Sequence, residues 1–95
     1  MFVIVLRFGA NKVKAGEFME GHKAWIKSGM DDGVFLLVGS LQPGLGGAIL
    51  AQGGSRPELE SRVQADPFVA EGVVDAEILE IAPAQADSRL DFLLS

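Results

Sequence analysis

The 95-residue sequence contains no cysteine and no tyrosine, a single histidine, and eight basic residues against thirteen acidic ones. Without cysteine there can be no disulfide, no thiolate nucleophile and no cysteine-held metal. One histidine leaves no set of imidazoles for zinc or iron, so neither metal nor cofactor is expected. A net charge of −5 with no basic tract argues against nucleic acid, whose phosphates call for clustered Lys and Arg. It argues equally against an anionic membrane surface. No apolar run is long enough to cross a bilayer. The opening run Phe2 to Leu6 is cut by Arg7, and it lacks the basic leader and small-residue cleavage site of a signal peptide. A cysteine-free chain suits a reducing compartment, and the expectation is a cytoplasmic protein.

Apolar side chains, by contrast, are plentiful, at 48% of the residues. The length implies one domain. A domain this small hides only a limited fraction of its surface, so the surplus implies a shared interface.

The elements follow from pattern. Phe2 to Phe8 is β-branched, aromatic and nearly continuously apolar, which predicts a strand buried on both faces. Gly9 to Asn11 makes a turn, with Asn11 placed to cap a helix over Lys12 to Ser28. Gly29 and Asp31-Asp32-Gly33 end that helix. Val34 to Val38 is a second strand and Ala48 to Ala51 a third, joined by a glycine-rich loop over Gly39 to Gly47. Ser55 with Glu58 forms a capping box, and Pro57 suits the first turn of a helix reaching Ala65. Asp66-Pro67 breaks it. Val73 to Ile81 is the last strand, with Asp75 and Glu77 on one face and Val74, Ala76 and Ile78 on the other. The tail Ala84 to Ser95 reads as a short docking helix or a frayed end.

The order β-α-β-β-α-β predicts an α+β, ferredoxin-like arrangement: a four-stranded antiparallel sheet with two helices on one face. The first two strands are nevertheless apolar on both faces, where a sheet with one wet face should alternate. A second copy of the same sheet is the simplest cover, which predicts a homodimer through the sheet faces.

His22 is the residue that most needs a reason. On a helix advancing 100° per residue, Ala15, Phe18, Met19, Trp25, Ile26 and Gly29 lie within about 60° of it. Glu17, Glu20, Lys23 and Lys27 lie outside that arc. A buried imidazole must find a hydrogen-bond partner. A backbone carbonyl at the helix–sheet seam would serve, as would Asp66. Asp66, before a proline, also suits a turn that bonds its own backbone. A carboxylate on one ring nitrogen fixes the tautomer and leaves the other nitrogen as a base. Asp31-Asp32 suits a turn better than acid–base work, since adjacent side chains diverge. The loop Gly39 to Gly47 lacks the lysine and spacing of a P-loop and reads as a hairpin loop that walls a pocket. Ser40 is a weak nucleophile candidate, because the lone histidine would have to be its base. Trp25 reads as core, with its indole N–H near the surface.

From Phe2 to about Pro83 the chain resembles the YciI-like (YCII-related) family of small ferredoxin-like proteins. The matching pieces are the opening strand, His22, the run from Asp32-Gly33 to Gly39, the segment Gly46 to Ala51, and above all Asp66-Pro67-Phe68-Val69-Ala70-Glu71-Gly72-Val73. Residues 84–95 are expected to form a tail that closes the pocket or docks at a dimer interface, and the resemblance implies one domain over residues 1–83. It also implies a dimeric α+β barrel and a His–Asp centre on His22 and Asp66. Many members have Gly-Pro where this chain has Gly39-Ser40, which bears on the pocket wall and the substrate. Relatives include dehydrochlorinases of chlorinated aromatics, and the fold is shared with muconolactone isomerases and cofactor-free monooxygenases. Fold alone does not choose among these.

The leading expectation is a cofactor-independent lyase or isomerase. In it Asp66 orients His22, His22 moves a proton on a small organic substrate, and Gly39, Ser40 and Phe68 line the pocket. The alternative is a non-catalytic ligand-binding or accessory dimer. In that case His22 and Asp66 would stand too far apart to bond, or be sealed from solvent.

Overall fold

The computed structural model describes residues 1–94. Its strands are β1 (Phe2–Phe8), β2 (Phe35–Leu41), β3 (Gly46–Ala51) and β4 (Val74–Glu80), and its helices α1 (Ala15–Asp31), α2 (Arg56–Gln64) and α3 (Pro67–Ala70). The strands form one antiparallel sheet in the order β2-β3-β1-β4, which is the ferredoxin-like arrangement.

Register assigns the two faces. Ile4 stands between Ile49 and Ile78, and Phe2, Ile4, Leu6 and Ile49 share a core with Trp25, Leu59, Val63 and Phe68. That is the helix-covered face. On the opposite face, Leu37, Leu50, Val3 and Leu79 form one row across all four strands. Leu37 is 59% and Leu79 46% exposed. β4 divides as its pattern predicts: Ile78 aligns with buried Ile4, and Glu77 aligns with Val5.

α1 meets the sheet closely because of Gly29. A Cβ there would run into the Phe35 ring, and the Trp25 ring stands edge-on to the same phenyl, 5.0 Å away. The indole Nε1 donates to the Arg62 carbonyl at 2.8 Å, tying α1 to α2. The capping box forms: the Glu58 amide donates to the Ser55 hydroxyl, and the Ser55 amide donates to the Glu58 carboxylate.

Four expectations need correction. The glycine-rich segment is mostly strand, because β2 runs on to Leu41 and β3 starts at Gly46, leaving a turn over Gln42 to Leu45. Glycine at 46 and 47 hides this from pattern. Gly46 itself sits at φ +135°, where a Cβ would strike the Leu6 carbonyl, so the close pairing of β3 with β1 requires the glycine. Asn11 does not cap a helix; its Nδ2 donates to the Glu71 carbonyl at 2.8 Å, and a 3₁₀ turn over Lys12–Lys14 precedes α1. α1 also continues to Asp31, beyond the predicted Ser28. Finally, the two helices are joined by a third. Asp66-Pro67 ends α2 and at once starts α3, with Asp66 extended as its cap and Pro67 in the first turn. The tail forms a kinked 3₁₀ segment over Ser88–Leu94; its final residue, Ser95, lies outside the described residues.

Candidate functional site

The site is built where α3 meets α1. Gly21 makes the approach close: a Cβ there would stand 3.0 Å from Pro67 Cγ. The next residue on α1 is His22, and those flanking Pro67 are Asp66 and Phe68. The three side chains therefore converge. His22 Nδ1 lies 2.8 Å from Asp66 Oδ1, and the imidazole stacks on the Phe68 ring with centroids 3.9 Å apart and planes 4° from parallel. The Trp25 ring lies 5.9 Å from the imidazole on the same helix.

Asp66 serves two roles anticipated as alternatives. The oxygen facing His22 also accepts from the Phe68 amide at 3.0 Å, so the helix cap and the histidine contact are one arrangement. Because Oδ1 also accepts from a backbone amide, it is the acceptor in the histidine contact and Nδ1–H the donor, so that in the neutral ring Nε2 carries the lone pair. Asp66 is fully buried. Its Oδ2 is also buried and has no hydrogen-bond partner.

The imidazole edge reaches a cavity of about 340 Å³ between α1 and the helix-covered face, a volume suited to a small ligand. Leu6, Ile49 and Val74 of the sheet line it, with Met19 and Ile26 of α1. Gly39, Ser40 and Phe68 also line it. His22 and Asp66 are bonded, and the His22 side chain keeps 14% of its surface exposed. The pair is thus neither separated nor sealed. Lys23 also lines the cavity. Pattern misses it because it lies 100° round the helix from His22, although its place beside the histidine was a signal. Two surface groups away from the cavity have displaced pKa values. The hydrogen bond and charge of Asp31 raise Lys27, and hydrogen bonds from Arg89 lower Asp87.

Asp31 and Asp32 are not a site. Asp31 pairs with Lys27 and Asp32 with Arg62. Among the described residues no cluster of His, Asp and Glu could hold a metal ion, and no helix is long and apolar enough to cross a membrane.

No family model and no curated protein matches the chain. A solved structure does: 5-chloro-2-hydroxyhydroquinone dehydrochlorinase (TftG) from Burkholderia phenoliruptrix, in complex with 2,5-dihydroxybenzoquinone. The match covers 85% of this chain and 93% of that one, with a TM-score of 0.69 and 15% identity. At that identity the likeness establishes a shared fold.

Proposed function

We propose that the chain is a YciI-like, cofactor-independent enzyme of lyase or isomerase type that uses His22 to move a proton on a small ring substrate. One observation carries this reading: the 2.8 Å His22–Asp66 bond at the edge of an apolar cavity of about 340 Å³. Asp66 holds the Nδ1–H tautomer and stabilises the imidazolium once a proton arrives. Nε2 takes a proton from a carbon made acidic by a neighbouring carbonyl or unsaturated bond. The C–H electron pair then forms a new double bond, either as a leaving group departs with its own pair or as the proton returns to another carbon. The stack on Phe68 fixes the plane of the ring. The fold shared with a dehydrochlorinase that binds a flat six-membered ring supports the substrate size.

The working form is a cytoplasmic homodimer joined through the exposed sheet faces. Residues 1–83 are the domain, and the tail over 84–95 docks at the interface. The Leu37–Leu50–Val3–Leu79 row supports this assembly. It leaves the cavity, on the other face, open in each subunit.

The test is a panel of substituted dihydroxybenzenes, cyclic enones and lactones, followed by NMR for solvent deuterium uptake and for elimination. At least one compound should be turned over, and His22→Asn should slow it by about 10²–10⁴-fold. Unchanged turnover in His22→Asn would overturn the mechanism.

A further inference from the structure

We infer that Lys23 sets the substrate charge: the His22 cavity takes a singly anionic ring, a carboxylate or phenolate, whose charge lies at Lys23 while its apolar body lies against Phe68. The inference rests on the cavity being the ligand site, and it adds a substrate class and a specificity-determining residue.

The molecule carries a net charge of −5, yet no carboxylate lines this cavity. Among the described residues, its polar side chains are those of His22, Lys23 and Ser40. Asp66, bonded to the lining residue His22, contributes no lining surface and already accepts from His22 and from the Phe68 amide. Lys23 is exposed. Unlike Lys27, which pairs with Asp31 one turn on, it has no hydrogen bond or ion pair among the described residues. A second ammonium, outside the lining itself, touches one lining residue: Lys12 Nζ sits 4.7 Å from the ring centroid of Phe8, and Phe8 lines the cavity. The site is therefore apolar within and cationic in its charged lining, on a protein of opposite overall sign.

That combination discriminates by charge. An ammonium beside low-dielectric walls attracts an anion more strongly than it would in bulk water. A ligand cation would meet Lys23 with no carboxylate in the lining, among the described residues, to offset it. A proton-transfer step at a carbon next to a carbonyl places negative charge on oxygen, so the same lysine would also stabilise the developing enolate.

The experiment uses three rings of nearly equal size and different charge: benzoate, benzamide and benzylammonium. Affinities come from NMR titration, with the His22 and Phe68 ring resonances, both from the cavity lining, locating the site. Wild type should prefer benzoate over benzamide by about two- to fivefold and bind benzylammonium weakest, in line with an exposed ion pair. Lys23→Gln should abolish the benzoate preference while leaving benzamide affinity unchanged, Lys23→Arg should keep the preference, and Lys23→Glu should reverse the order of the two ions. Lys23 is exposed, so these variants keep the fold, which the Trp25 resonances verify. Equal binding of the three rings, or a benzoate preference that survives Lys23→Gln, overturns the charge assignment and leaves the ligand site standing. Failure of all three to perturb His22 overturns both the ligand site and this inference.

Discussion

At the scale of single residues, Asp66 is where stability and the proposed chemistry meet. One carboxylate oxygen caps α3 and holds His22. Asp66→Ala removes a cap contributing about 1 kcal/mol and strands the partly buried Nδ1–H, at about 1–3 kcal/mol more. The thermal midpoint should fall by roughly 10 °C or more for a chain of this size. Asp66→Asn separates the two roles. Its amide oxygen can still accept from Phe68 and His22, so the fold should persist while the imidazolium loses its counter-charge. The amide nitrogen would then occupy the buried position where Oδ2 has no partner, so some stability is lost there as well. Scanning calorimetry should rank wild type above Asn above Ala, and an Asn variant as unstable as Ala would show that the cap geometry, not the charge, dominates. Phe68→Leu keeps bulk but removes the stacked ring 3.9 Å from His22. It should leave the unfolding free energy within about 1.5 kcal/mol of wild type while broadening the His22 ring signals. Of this site, His22 and Asp66 are legible in the sequence because a polar ring on an apolar face and an acid before proline each need a partner. Lys23 is not, because a lysine at the edge of an amphipathic face looks like ordinary solvated surface until the cavity wall is seen.

At the scale of elements, close approaches place the site. α1 descends onto β2 at Gly29, and the Phe35 ring occupies the space a Cβ would need. Alanine there has the better helix propensity by about 1 kcal/mol, yet it must displace a buried phenyl, an overpacking that costs about 1–3 kcal/mol. Gly29→Ala should therefore destabilise by urea titration despite its gain in propensity, and a net stabilisation would mean that α1 can lift off Phe35 at little cost. Ser55→Ala, by contrast, strikes a capping box on exposed surface and should cost about 1 kcal/mol without shifting the His22 resonances. The ferredoxin-like order of strands and long helices is readable from period and punctuation, because β-branched runs, a capping box and Asp-Pro are local signals. α3 is not readable, since four residues are too few to show a period. The extension of β2 and β3 through Gly39 to Gly47 is hidden for a different reason. Glycine there allows the near contact with the Leu6 carbonyl at Gly46, so a residue type that usually marks a loop is demanded by strand pairing.

At the scale of the whole molecule, the two sheet faces differ in what covers them, and the proposed assembly rests on that difference. One face is filled by helices and holds the cavity. The other carries Leu37, Leu50, Val3 and Leu79 side by side across the full width of the sheet. The two ends of that row, Leu37 and Leu79, are 59% and 46% exposed. Large contiguous apolar patches on a small soluble domain mark interaction surfaces, and a self-complementary patch related by a two-fold axis closes without leaving an open end. Acids fall beyond the row rather than within it: Glu77 and Asp75 continue the same face of β4 opposite Val5 and Arg7. Two sheets meeting on this face would bury the leucines and keep these carboxylates toward one end. Replacing Leu37 and Leu79 together by aspartate places charges where each monomer already meets solvent, so the isolated fold should tolerate them, whereas a buried interface should not, because unpaired charges resist desolvation. In sedimentation equilibrium the wild-type chain of 10.1 kDa should behave as twice its mass, and the double variant as a monomer with an unaltered His22–Asp66 signature by NMR. If the two chains sediment alike, the proposed interface lies elsewhere and the leucine row must be covered in some other way.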